Sequence, residues 1–193
     1  MFNIVIFGAP GSGKGTQSER LIANYGLHHI STGEVLRDHI KRGTELGQIA
    51  DSYISKGQLI PDDLMVSILA DVLDTQAAGK KGVIFDGFPR TIPQADALEK
   101  MLAERGSKVH AVIGLEVDDD ELVDRMIKRG KETGRADDNM ETIKNRLKVY
   151  HTQTSPLRDY YKAKNQYYHI PGSGKPEDIF QLITKALDAV ECD

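Results

Sequence analysis

The chain of 193 residues holds a single cysteine, Cys192, next to its C-terminal residue. One thiol excludes an intramolecular disulfide and any zinc site built on several cysteines. It also stands too near the end for a C-a-a-X prenylation signal. Long apolar runs are missing as well, and none approaches the roughly 18 residues that a membrane-spanning helix requires. The N-terminus goes straight into FNIVIF, without the basic region, apolar core and small-residue cleavage site of a secretory signal. An excess of positive charge is equally lacking. At a formal net charge of −4 a broad nucleic-acid footprint is not expected, and an anionic small ligand would need locally clustered cations. Neither an H-R-D catalytic loop nor a guanine-reading N-K-x-D occurs. These absences leave a cytoplasmic enzyme with no membrane or nucleic-acid partner, long enough to bury one core.

What is present alternates. Short apolar runs at Asn3 to Phe7, His28 to Ile30, Val83 to Phe85, Ala111 to Val117 and Tyr167 to Ile170 are expected to be strands. Several show no polar alternation, the pattern of strands buried on both faces of a parallel sheet. Helical stretches lie between them. In the last one Ile179, Leu182, Ile183, Ala186, Leu187 and Val190 keep the spacing of one helix face, and Pro176 begins it where a missing N–H is harmless. Strand–helix alternation of this kind predicts a doubly wound α/β fold. Two segments break the rhythm. Ser31 to Ile60 holds two helical stretches and no strand, and Gly130 to Asn139 is a polar, arginine-bearing stretch, GKETGRADDN.

GAPGSGKG, Gly8 to Gly15, follows the first strand and precedes a helix, the context a phosphate-binding loop requires. Glycines let backbone N–H groups turn toward phosphate oxygens, and the helix N-terminus adds a favourable dipole. Lys14 supplies a flexible point charge. Gly15 stands where such loops usually carry a hydroxyl, and Thr16 follows it. A Mg²⁺ ion would then lose one direct ligand, yet nucleotide phosphates and waters can hold it, since Mg²⁺ keeps several waters. Asp86, ending the apolar strand VIFD, is placed to orient those waters through its carboxylate; the plainer alternative is a cap for the next turn.

Arg37, Arg90, Arg125, Arg129, Arg135 and Arg146 form a second signal. Guanidinium is planar, permanently charged and suited to phosphate forks. Phosphoryl transfer gathers several negative charges, so its catalysis is mostly positioning and charge stabilisation. A hydroxyl acceptor would need a carboxylate to take its proton, whereas a phosphate acceptor is already an anion. Other clusters have plainer readings. His28, His29 and His169 lie in expected strands without metal-ligand spacing. Tyr160, Tyr161, Tyr167 and Tyr168 pack a helix and a strand, and Asp118 to Asp120 put charge at a helix start. Asp137 and Asp138 either cap the helix from Met140 or brace the neighbouring arginines.

GAPGSGKGTQ, STGEVLR (Ser31 to Arg37), DGFPRTIPQA (Asp86 to Ala95), GRADDN and RLKVY (Arg146 to Tyr150) occur in this order. Together they resemble the adenylate kinase family in its short-lid form, from residue 3 to about residue 176. The resemblance implies reversible, Mg²⁺-dependent phosphoryl transfer from ATP to AMP giving two ADP, by a monomer. It also implies a P-loop fold with a five-stranded parallel sheet and helices on both faces. A core of residues 1–30, 61–129 and 140–193 would carry a monophosphate-binding insert, 31–60, and a lid, 130–139.

By matching position, ATP would be held by Gly11, Ser12, Gly13, Lys14, Gly15 and Thr16, with Arg125 and Arg129, and with Gly174 and Lys175 over its adenine. AMP would be held by Thr32, Gly33, Arg37, the stretch Gln58, Leu59 and Ile60, then Gly87, Phe88, Pro89, Arg90 and Gln94, with Arg135 and Arg146. Within this set Arg37 and Arg90 would grip the AMP phosphate, and Thr32 and Gln94 would read the base. Lys14, Arg90, Arg125, Arg129, Arg135 and Arg146 would be the catalytic cations, and no residue would ligate the metal directly.

Other readings stay open. A pyrimidine monophosphate kinase shares the loop and most arginines, but typically has Ala where Thr32 stands and Asn-rich sequence after GFPR. A nucleotide-dependent switch or a non-catalytic binding protein on this fold leaves the arginines unexplained. Only five residues, Gly130 to Gly134, separate Arg129 from Arg135, and none is cysteine or histidine. The two glycines bracket what is expected to be a loop able to absorb a backbone change. Long-lid relatives often have room there for zinc; this chain does not. Activity with Mg²⁺ is therefore expected to survive exhaustive removal of zinc, and a loss restored by added zinc would refute the assignment.

Overall fold

The computed structural model describes residues 1–190, so Cys192 lies outside the described residues. Five strands form one sheet: β1 (Phe2–Gly8), β2 (His28–Ser31), β3 (Gly82–Asp86), β4 (Ala111–Glu116) and β5 (Tyr167–Pro171). Their order is β2-β3-β1-β4-β5 and every pairing is parallel. The expected strands are all present, with β4 ending one residue before Val117.

Alternate residues of the central strands feed two cores. Val5, Phe7, Val83, Phe85 and Val112 face one side, and Ile4, Ile6, Ile84 and Ile113 face the other. That two-sided burial is why these runs carry no polar alternation. The second core is closed by α1 (Lys14–Tyr25) and α9 (Pro176–Asp188), through Leu21, Ile179, Ile183 and Leu187. Leu182, expected on the same face, is 44% exposed. The i, i+4, i+8 row of Ile179, Ile183 and Leu187 already fills the contact, and residue 182 falls off its edge.

The opposite core packs against α4 (Asp62–Gln76), α5 (Ile92–Glu104) and α8 (Leu157–Lys162), by way of Leu69, Leu98, Leu157 and Tyr161. Tyr161 lies in this core with Tyr160 and Tyr167 packed against it, and Tyr168 packs on the opposite core, so these tyrosines do pack a helix and a strand. The strandless segment holds α2 (Thr32–Arg42) and α3 (Glu45–Ile54). Ser31 caps α2 by accepting from the Glu34 N–H, and Thr44 caps α3 by accepting from the Gly47 N–H.

The polar stretch from Gly130 departs from expectation. α6 (Asp119–Thr133) runs through Gly130 and ends at Gly134, whose φ of 67° makes it the left-handed C-cap. Only Gly134 to Asn139 lies between this helix and α7 (Met140–Val149). Gly130 is thus not at the edge of a loop. It is a helical residue over which Asp138 packs, since a Cβ there would stand 2.8 Å from the Asp138 carbonyl oxygen. Asp138 does not cap α7 either; Asn139 does, accepting from the Thr142 N–H at 3.0 Å. The Asp118 side chain makes no capping bond, although Asp119, Asp120 and Glu121 fill the first turn of α6.

Gly130→Ala therefore sets two effects against each other. Helix propensity favours alanine by about 1 kcal/mol, while overpacking against a backbone oxygen costs about 1–3 kcal/mol. A lowered urea midpoint is expected; a raised midpoint would mean that the contact is not tight.

Candidate active site

The strands' C-terminal ends converge on a cleft of about 500 Å³. The crossover from β1 runs through α1 to β2 and that from its neighbour β3 runs through α5 to β4, in opposite directions along the sheet and on opposite faces, which leaves a crevice at the ends of these two strands. The glycine-rich loop leaves β1 there. Gly11 and Gly13 take φ values of 80° and 95°, which side-chain-bearing residues rarely adopt, and Gly13 is the N-cap of α1 without a side-chain bond. The first N–H groups of α1 thus remain available at the cleft. Lys14 bends back over the loop and donates to the carbonyls of Gly8 and Ala9 at 3.1 and 3.0 Å. Burial pushes its pKa down to about 8; Asp86 opposes that shift and the arginines add to it.

Asp86 closes β3, in register with Ile6 and Ser31. Its Oδ2 lies 3.2 Å from His29 Nε2. Burial raises the Asp86 pKa, but the His29 hydrogen bond and the Lys14 charge outweigh it, so the carboxyl sits below its usual range. For His29, burial is outweighed by the same bond and by the Asp86 charge, and its pKa rises. His29 looked like a purely structural strand residue. No local spacing marks it, because its partner is 57 positions away.

The arginines meet in the same cleft and divide into two groups. Arg129 forks onto Asp138 at 2.6 and 2.8 Å, and Arg135 donates to Asp137 at 2.9 Å. Arg146 reaches Asp138 at 3.0 Å and Asp137 at 3.3 Å. Arg125 pairs with Glu121 and donates to the Gly172 carbonyl at 3.0 Å. The bracing role of Asp137 and Asp138 is therefore the observed one. Arg37 and Arg90 make no ion pair among the described residues. Arg90 donates from Nε to the Gly87 carbonyl at 2.8 Å, and burial, reinforced by Arg146, pushes its pKa down to about 10, so it stays charged at neutral pH. Burial likewise lowers Arg37, with Arg135 next.

Gly11, Gly13, Lys14, Gly15, Thr16, Thr32, Gly33, Arg37, Gln58, Leu59, Ile60, Asp86, Gly87, Pro89, Arg90, Gln94, Arg125, Arg129, Arg135 and Arg146 all line this cleft. Ser12 and Phe88 do not; both are buried beneath it. Gly174 and Lys175 also stand outside, at the start of α9. Their neighbours connect to it indirectly, since Ser173 donates to Glu121 Oε2 at 2.6 Å and Glu121 holds Arg125. The Thr32 hydroxyl donates to the Gly87 carbonyl at 2.9 Å, which leaves its oxygen free to accept. Met65 and Thr154 supply lining that no motif announced, and Val149 and Tyr150, in the RLKVY motif, supply lining that was not assigned to the site. Tyr150–Thr154 forms a π-helical turn after α7, a deviation that is frequent at functional sites.

A glycine-rich loop, its lysine and a helix N-terminus at the switch point of a parallel sheet define a P-loop nucleotide-binding protein. The ring of arginines facing that loop narrows the class to phosphoryl transfer. Comparison with known proteins is specific. The family model described as Adenylate kinase matches residues 6–166. A protein named Adenylate kinase from Bacteroides fragilis is 64% identical over 190 residues, covering 98% of this chain and 100% of its own. The one from Bacteroides thetaiotaomicron is 64% identical over 188 residues, 97% of this chain and 99% of its own. That from Porphyromonas gingivalis is 52% identical over 188 residues, 97% of this chain and 96% of its own. The chain belongs to the adenylate kinase family.

Lys14 gives a pH signature. Its folded pKa of about 8 lies below the model-peptide value of 10.5, so the unfolded state binds more protons between those values. Holding the buried ammonium therefore destabilises the fold below pH 8, and that penalty fades as pH rises toward 10.5. Lys14→Met is expected to be more stable than the parent at pH 7, with the gap closing by about pH 10. Parallel urea titrations at the two pH values test this, and a gap that widens with pH would refute it.

Proposed function

We propose that the protein catalyses reversible phosphoryl transfer from ATP to AMP, giving two ADP. The observation that carries this is the presence of two distinct phosphate sites in one cleft. One is the loop cradle with Lys14. The other is Arg37 and Arg90, two partly buried guanidiniums with no ion-pair partner among the described residues. A site for a phosphate acceptor needs cations and no general base, and that is its composition.

In the reaction the bond between the terminal phosphorus of ATP and its bridging oxygen breaks as an oxygen of the AMP phosphate attacks. The bridging oxygen leaves on ADP, and no proton transfer is required. The loop N–H groups and Lys14 hold the donor's outer phosphates, while Arg37 and Arg90 fix the acceptor. Arg125, Arg129, Arg135 and Arg146 surround the moving group, where negative charge spreads over its oxygens. Asp137, Asp138 and Glu121 hold those guanidiniums in place until phosphate competes for them. Thr32 and Gln94, with the backbone of Gln58 to Ile60, contact the base. The free lone pair on the Thr32 oxygen suits an amino group.

Residues 31–60 serve as the monophosphate-binding insert and 130–139 as the lid, whose closure keeps water from the phosphoryl group. Gly174 and Lys175 meet the donor's adenine only if their loop moves inward with the nucleotide.

Among the described residues no group of three His, Cys, Asp or Glu could hold a metal ion. The residues nonetheless fit Mg²⁺ bound through water, because the ionised Asp86 lines the cleft with Thr16. When bound, the ion neutralises phosphate charge; the nucleotide supplies its direct ligands. A monomer working in the cytoplasm accords with this reading, and no described helix is long and apolar enough to cross a membrane.

A coupled assay of ADP formation with AMP, CMP, UMP and GMP in parallel tests the function. AMP should be preferred, and a preference for CMP or UMP would overturn the reading. In the same assay Arg129→Ala is expected to fold normally and lose about 10³-fold or more in turnover. Unchanged turnover with native circular dichroism would remove Arg129 from the site.

A further inference from the structure

Asp62 opens α4 behind the wall of the cleft and does not line it. Its Oδ1 accepts two hydrogen bonds, from Gln94 Nε2 at 2.9 Å and from Thr91 Oγ1 at 2.9 Å. On the other side of the same amide, Gln94 Oε1 accepts from the Arg90 backbone N–H at 2.8 Å. A carboxylate can only accept and a backbone N–H can only donate. These two partners therefore permit one orientation of the Gln94 amide, with its NH₂ toward Asp62 and its oxygen toward Arg90. The reverse orientation would set acceptor against acceptor and donor against donor. Thr91 holds the carboxylate in turn, because its hydroxyl hydrogen goes to Asp62 while its oxygen receives the Gln94 backbone N–H at 3.3 Å.

Gln94 is only 1% exposed, yet it lines the cleft. After the bonds to Asp62 and Arg90 it keeps one N–H and one lone pair for a ligand. We propose that Asp62 is a positioning residue for base selection: by orienting the Gln94 amide, it makes the acceptor site favour an aminopurine monophosphate over an oxopurine one. This deepens the function proposed above and rests on Gln94 being a base contact. Adenine carries an amino donor at C6 next to a ring nitrogen, whereas guanine carries a carbonyl acceptor there. An oriented Gln94 oxygen pairs with the amino group and opposes the carbonyl. Freed from Asp62, the amide is held only by the Arg90 N–H, so turning its NH₂ toward that carbonyl meets one opposed pair instead of two, and the discrimination relaxes in part.

The test compares kcat/KM for AMP and GMP, with ATP as donor, in the parent, Asp62→Ala, Gln94→Ala and the double variant. Asp62→Ala is expected to lower the AMP-to-GMP ratio about tenfold, the scale of one misdirected hydrogen bond. It should lower the ratio no further in the Gln94→Ala background, the mark of residues acting as a unit. Asp62→Asn is isosteric and can turn either a donor or an acceptor toward Gln94. It should move the ratio the same way by a smaller factor, and it serves if the alanine variant does not fold. Equal losses for both nucleotides, or an unmoved ratio while Gln94→Ala collapses it, would overturn the role of Asp62 and leave Gln94 as a base contact. A ratio unmoved by Gln94→Ala would overturn that contact, and this inference with it.

Discussion

Lys14 and six arginines face one cleft, and like charges at this range repel strongly wherever water is scarce. The surrounding structure is arranged around that repulsion. Burial, reinforced by the neighbouring guanidiniums, pushes Lys14 and Arg90 below their ordinary pKa values, to about 8 and about 10. Four carboxylates, Asp86, Asp137, Asp138 and Glu121, are set among the cations. Among the described residues Arg37 and Arg90 form no ion pair with any, and an anion entering the cleft relieves their repulsion. Pre-formed positive charge in a partly dry site acts on phosphate without reorganising at the moment of reaction.

Placing those charges is the task of the sheet. The loop at the end of β1 and Asp86 at the end of β3 come together because those strands pair in parallel, Ile6 beside Asp86. His29 reaches Asp86 because the parallel pairing sets it opposite Ile84, two residues before Asp86 and on the same face of the sheet. The second phosphate site is held by helix starts. Thr91 caps α5 by accepting from the Gln94 N–H and ties it to α4 through Asp62. Arg90 is thereby fixed just ahead of a helix whose own cap anchors the neighbouring segment. Gly130 completes the arrangement from the other side, since the absence of its side chain lets Asp138 approach α6 and hold Arg129 and Arg146 together.

Much of this was legible along the chain. Buried strands announce themselves by unbroken apolar runs, the phosphate loop by glycine spacing, and the arginines by their number beside strand ends. Physical signals of this kind are local, so they survive in one dimension. The stretch after Arg129 misled, because its polar composition suits a loop as well as an exposed helix end. Helicity to Thr133 was decided by the helix already running from Asp119. Leu182 misled for a related reason: a helix face is wider than the area its neighbours cover, and packing selects which apolar residues are used.

The residue types at the loop, the strand ends and the arginine positions determined that phosphate would be bound, since few other ligands suit backbone N–H groups, a lysine and guanidiniums together. The order of the strand signals determined an α/β sheet, because each alternation of period imposes its own local geometry. Only the tertiary structure decided which charge neutralises which. Asp137 pairs with Arg135 and Arg146, Asp138 with Arg129 and Arg146, and Asp86 with His29, while Arg37 and Arg90 go without among the described residues. It also decided which way the Gln94 amide faces, through a carboxylate 32 positions earlier. Hydrogen bonds and ion pairs act over a few ångströms of space and do not depend on sequence separation. Pairings of that kind therefore leave no mark on the order of residues until the chain has folded.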